Sequence, residues 1–155
     1  MGGFFGTIKN RACSIDLFYG IDYNSHMGTH RAGMVTMNEE NNFIRAIHNI
    51  ENSYFRNKFE DDLPSFRGNS GIGVISDSDP QPMVMKTRIG KYAIVTVARI
   101  NNIPELEDEV LSKGAHIAEL SLGKTCATEL IGLLISQGEN LVDGIENAFK
   151  KVKGS

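Results

Sequence analysis

Two cysteines, Cys13 and Cys126, and four histidines, His26, His30, His48 and His116, are the obvious candidates for nucleophilic or metal chemistry in this 155-residue chain. A nucleophilic cysteine needs a base or a thiolate-stabilising group close by. No Cys/His pair stands at a suitable spacing, and Thr7 as a substitute nucleophile is equally unsupported. His26 and His30 lie four apart, which on a helix would set two imidazoles on one face for a metal. Gly28 and the turn-rich residues around it argue against a helix, and no third ligand is evident, so no metal is expected. His48 and His116 are isolated and read as structural or exposed. The cluster Glu60-Asp61-Asp62 reads as a solvated face, and Asp77 and Arg99 most simply as surface charges.

Composition narrows the classes further. The length suits a single domain over residues 1–155 with a real core. Hydrophobic content of 41% and charged content of 23% are those of an ordinary globular protein, not a disordered one. A net charge of −3 with no basic run gives no reason to expect nucleic acid or an anionic membrane as partner. No apolar stretch reaches membrane-span length and no signal-peptide pattern appears. Two isolated thiols fit a reducing, cytoplasmic setting. No cofactor is expected in this segment.

Positioning falls to elements that the patterning delimits. Gly3 to Ile8 reads as an interior strand flanked by the strands near Gly71 to Ile75 and Lys91 to Ile100, with Phe4, Phe5 and Ile8 supplying burial, and the glycines at 2, 3 and 6 mark close approach by another backbone or a ligand. Ser14 to Asn24 reads as a short helix capped by Ser14, with Ile15, Phe18, Tyr19 and Tyr23 inward. Gly33 to Met37 and Phe43 to Ile50 form a hairpin about the polar turn Asn38 to Asn42. Short pieces at Asn52 to Phe59 and Asp61 to Phe66 carry Tyr54, Phe55, Phe59 and Leu63 inward. Gly71 to Ile75 and the β-branched run Lys91 to Ile100 are strands. Helices follow: one opened by Pro104 and stopped by Gly114, one begun at Thr125 or Thr128, and an amphipathic last one with Leu141, Val142, Ile145, Ala148, Phe149 and Val152. Strands first and helices later predict an α+β chain.

The opening Gly3-Phe4-Phe5-Gly6-Thr7-Ile8 resembles the start of class II glutamine amidotransferases, Met-Cys-Gly-(Ile/Val)-Phe-Gly-Ile. Tyr19, Gly20, His26, Gly28, Ala32, Gly33 and Met34 fall in register with a segment of the amidophosphoribosyltransferases. Gly71-Ile72-Gly73, Gln81-Pro82, Ala98 with Asn102, Glu129 and the final Gly154-Ser155 keep the same order. The resemblance covers the whole chain. It implies an Ntn-hydrolase-like αββα sandwich of glutaminase type, here a truncated portion, with a phosphoribosyltransferase domain expected downstream of Ser155.

At the positions that handle glutamine in that family, this sequence departs. Gly2 stands where the family has its nucleophilic Cys, and Met27 where it has an Arg. Ser76 replaces the Arg that forks onto the substrate carboxylate, with Asp77 beside it. Ile100 replaces the Asn that supplies one oxyanion donor, and Asn101 the Gly whose N–H supplies the other; Ala127 replaces the Asp that receives the ammonium. The expectation is a catalytically degenerate glutaminase-type domain of an amidophosphoribosyltransferase-like protein of purine biosynthesis. The transferase half would make phosphoribosylamine from free ammonia, or have lost that too. The alternative is a regulatory or ligand- and partner-binding module that reuses the fold; a homo-oligomer is compatible with either.

Overall fold

The computed structural model describes residues 2–121 and 123–155 and divides them into two compact units. The first comprises residues 2–84 and Ala93–Val97; the second comprises Met85–Tyr92 and Ala98–Ser155. Strands β1 (Gly2–Ile8), β2 (Arg31–Met37), β3 (Phe43–Asn49) and β4 (Ser70–Ser76) build one antiparallel sheet in the order β1-β4-β2-β3. Helices α1 (Ser14–Tyr23) and α2 (Phe55–Phe59) also lie in the first unit.

The hairpin of β2 and β3 closes through the predicted polar turn. Asn38 accepts from the Glu40 and Asn42 amides, and Asn41 takes a left-handed conformation with φ of 58°. One sheet face carries Phe5, Ala32, Met34, Ile44, Ala46 and Ile75. It packs on Leu17, Phe18 and Ile21 of α1 and on Phe55, Phe59 and Phe66. Helix α1 comes very close to the sheet because Gly73 lies beneath Ile21 and Gly20 beneath the Phe5 ring; a methyl at either glycine would overlap its neighbour.

Three expectations need correction here. The inward residues of α1 are Leu17, Phe18 and Ile21, whereas Ile15, Tyr19 and Tyr23 are exposed. The glycine-lined sheet accepts a flush aliphatic face, and the tyrosines keep their hydroxyls in water. Tyr54 likewise faces outward. Strand β1 was expected inside a sheet, between the strands at 71–75 and 91–100. Among the described residues it pairs with β4 alone and forms the sheet edge, with Phe4 and Ile8 exposed.

The second unit is mostly helical. Its helices are α3 (Ile103–Ser112), α4 (Ala127–Ser136) and α5 (Leu141–Lys151), with Leu106, Val110, Cys126, Leu130, Leu134, Ile135 and Ala148 buried. Gly144 lets α5 approach the Ile135 carbonyl of α4. The buried side of α5 is therefore its small one, Gly144 and Ala148. Its large apolar residues Leu141, Val142, Ile145 and Phe149 are exposed, contrary to expectation. The hairpin of β5 (Met83–Thr87) and β6 (Gly90–Ile94) has residues in both units, and β7 (Leu120–Ser121) pairs with β8 (Lys124–Thr125). The long strand expected at 91–100 is thus cut short at Ile94.

Phe59 is fully buried, stacked on Phe55 with ring centroids 4.6 Å apart and met edge-on by His48. Phe59→Ala should cost about 3–5 kcal/mol of unfolding free energy. Tyr54→Ala, at an 85% exposed position, should stay within about 0.5 kcal/mol of the parent. Chemical denaturation of the two variants checks the contrast, and similar losses would contradict this packing.

Candidate functional site

Gly2, Met27 and Ser76 lie in the first unit, and Ile100, Asn101 and Ala127 in the second. Gly2 pairs with Ser76 at the end of the β1–β4 ladder, and Arg31 faces Ser76 from β2. A Cβ at position 2 would stand 2.5 Å from the Ile75 carbonyl oxygen and 3.4 Å from Val97. Real Cβ atoms do not approach a backbone oxygen so closely, so any side chain here forces the backbone to move. Met27 ends a short 3₁₀ turn at Ser25–Met27 and is partly exposed.

Ser76 is buried, and its hydroxyl is occupied locally. It lies 3.1 Å from the Ser78 hydroxyl, accepts from the Ser78 amide at 3.1 Å and from Gln81 Nε2 at 3.3 Å. Gln81 is 2% exposed and reads the Thr96 backbone with both ends of its amide. Nε2 donates to the Thr96 carbonyl at 2.9 Å, and Oε1 accepts from the Thr96 N–H at 2.6 Å. The side chain thus stands in for a neighbouring strand, where sequence reading saw in Gln81 only a landmark.

Asp77, read from sequence as a surface charge, accepts from the Thr29 amide at 2.7 Å and the His30 amide at 3.3 Å. Burial pushes its carboxyl up. The hydrogen bonds and positive charge about it, the two amides among them, outweigh burial and hold it below the usual carboxylate range. Arg31 donates to the Ser78 carbonyl in the same turn.

In the second unit, residues 99–101 run antiparallel to the end of the chain. Arg99 exchanges backbone hydrogen bonds with Ser155, and Ile100 bridges to Gly154. The Asn101 N–H donates to the Lys153 carbonyl at 2.8 Å. Asn102 is buried and bonds both the Lys151 carbonyl and the Lys153 amide. Ala127 is the first residue of α4. Two residues on, the buried Glu129 carboxylate accepts the Ala118 and Glu119 amides at 2.9 and 2.8 Å. No local pattern in the sequence announces that anchor.

The histidines do not converge. His26 lies in the 3₁₀ turn, His30 pairs with Glu51, and His48 meets Asp62 at 2.5 Å. Among the described residues no group of three His, Cys, Asp or Glu could hold a metal. Cys13 and Cys126 are both buried thiols, in different units. Among the described residues no helix is long and apolar enough to cross a membrane.

No family model matches the chain. Its architecture is that of glutamine phosphoribosylpyrophosphate (PRPP) amidotransferases, an α/β fold with antiparallel sheets of the Ntn-hydrolase type. The Bacillus subtilis glutamine PRPP amidotransferase, solved with ADP and GMP, superposes with a TM-score of 0.82 at 20% identity, covering 99% of this chain and 33% of that one. A structure described as the allosteric regulatory enzyme of purine biosynthesis matches with a TM-score of 0.81, also at 20% identity, over 100% of this chain and 34% of its own. In sequence, the chain is homologous to the amidophosphoribosyltransferase of Methanocaldococcus jannaschii, 26% identical over its whole length and 34% of that protein. It spans about a third of the length of these relatives.

One acidic group gives a sign-definite test of the second unit. Lys151 and then Lys113 hold the Glu109 carboxyl below its ordinary value. Stability from these pairs is fully present above the unfolded glutamate value of about 4.3 and is lost as pH falls through the lower folded value. Melting curves between about pH 6 and pH 3 should therefore show the parent losing its advantage over Glu109→Gln on acidification. A constant difference would refute the pairing.

Proposed function

We propose that this chain is the glutaminase-type portion of an amidophosphoribosyltransferase-like protein of purine biosynthesis, and that the portion itself does not hydrolyse glutamine. The observation that carries the reading is homology over the full chain combined with four substitutions at glutamine-handling positions: Gly2, Ser76, Ile100 and Ala127. The geometry supports it at three of them or beside them. Position 2 has no room for a nucleophile's Cβ. The Ser76 hydroxyl is occupied by its own turn. The backbone N–H of Asn101, which the resemblance would make an oxyanion donor, is already given to Lys153.

Magnitudes favour inactivity over impairment. Loss of one oxyanion donor costs about 10²–10³ in turnover, and loss of the nucleophile roughly 10⁶. Both charged ends of glutamine also lose partners worth about 1.5–3 kcal/mol each. A transferase half of the parent protein, lying beyond residue 155 as the relatives' lengths suggest, would then draw on free ammonia. The exposed Phe4 and Ile8 on the sheet, and Val142 and Phe149 on α5, are surfaces of the kind that further polypeptide covers.

Glutamate release and calorimetric glutamine binding test the reading on the parent chain and on Gly2→Cys. Neither protein should turn glutamine over, because restored thiol chemistry lacks both substrate clamp and oxyanion support. Full activity from Gly2→Cys, or any turnover by the parent chain, would overturn the assignment. Light scattering tests the open surfaces separately: the 155-residue chain should self-associate more readily than a version extended into the next domain, and equal behaviour would count against a covering segment.

A further inference from the structure

The amides of Thr29 and His30 are adjacent in sequence and both point at one oxygen of Asp77, across 48 and 47 residues of chain. Successive N–H groups converging on a point make an anion-binding corner, whatever fills it. Here the occupant comes from the chain itself, on the turn that follows β4. That turn is tied down three more times: by the Arg31 guanidinium on the Ser78 carbonyl, by the Ser76 and Ser78 hydroxyls on each other, and by Gln81 on Ser76. Thr29 also lines a cavity of about 400 Å³, with Asp22, Gly28, Glu51, Tyr54 and Arg56 among its other walls. The corner therefore has open volume beside it.

We propose that the Thr29–His30 amide pair is a carboxylate-binding site, held shut in this chain by the Asp77 side chain acting as an internal plug. An external carboxylate would compete for the same two N–H groups, and Arg31, released from Ser78, would supply the countercharge that a guanidinium gives a carboxylate. The proposal does not rest on the glutaminase reading, because Thr29 and His30 are not among the glutamine-handling positions.

The probe is sodium acetate at constant ionic strength, with amide resonances of Thr29 and His30 followed by NMR on the full chain. In Asp77→Ala both resonances should move saturably with acetate, and the melting temperature should rise by roughly 2–4 °C at about 100 mM, by mass action. In the parent chain and in Asp77→Asn, which keeps the acceptor in place, the resonances should stay put. Should Asp77→Ala fail to fold, recovery of folding by acetate but not by chloride is the expected result, and absence of recovery overturns the proposal. Resonances in Asp77→Ala that ignore acetate, or that move equally in all three proteins, also overturn it.

Discussion

Strand β4 is the constraint on which the first unit depends, because it is bonded along both edges, to β1 on one side and β2 on the other, and it also carries the surface that receives α1. Its inner face bears glycine at 71 and 73, which brings α1 down onto the backbone. A glycine within a strand costs about 0.5–1 kcal/mol relative to alanine. Complete burial of an aliphatic side chain returns about 1.5–3 kcal/mol, and Leu17 and Ile21 are both wholly buried. Burial wins, and the position of α1 is set by where side chains are missing from the sheet.

Much of this was legible in the sequence, and the failures have physical causes. The β2–β3 hairpin could be read because a polar turn, Asn38 to Asn42, separates two largely apolar runs. The extent of α1 was readable but its orientation was not, since an amphipathic pattern with aromatics on one flank does not reveal that the partner surface is glycine. The run at 91–100 looks like one long strand by its β-branched residues, yet the backbone of Thr96 is satisfied by the Gln81 side chain and not by a ladder. Side-chain mimicry of a strand leaves no periodicity to detect. The positions that the resemblance aligns with the family's glutamine-handling residues could be named from the sequence. Their partners, such as Lys153 for the Asn101 amide, could not, because those contacts join residues far apart in sequence.

Buried polar side chains carry an unusual share of the organisation. Gln81 fastens residue 96, Asn102 fastens 151 and 153, and Glu129 fastens 118 and 119, each bonding backbone groups at more than one point. The three side chains are themselves buried, and a buried polar group left unpaired costs about 1–3 kcal/mol, so these bonds are hard to lose whether or not any reaction takes place. That separates the persistence of the fold from the persistence of chemistry. Gln81, Asn102 and Glu129 hold loops in place through backbone bonds that need no reaction to be kept.

The placement of the two thiols has a practical corollary. Cys13 lies in the first unit and Cys126 in the second, each with no measurable exposure, and burial raises the Cys13 thiol above its ordinary value. Neither sulfur meets an alkylating reagent until its surroundings open, so the rate of modification reports the frequency of that opening and not intrinsic reactivity. The chain thus carries one native probe in each unit, and two labelling rates would reveal whether the units breathe together or one at a time.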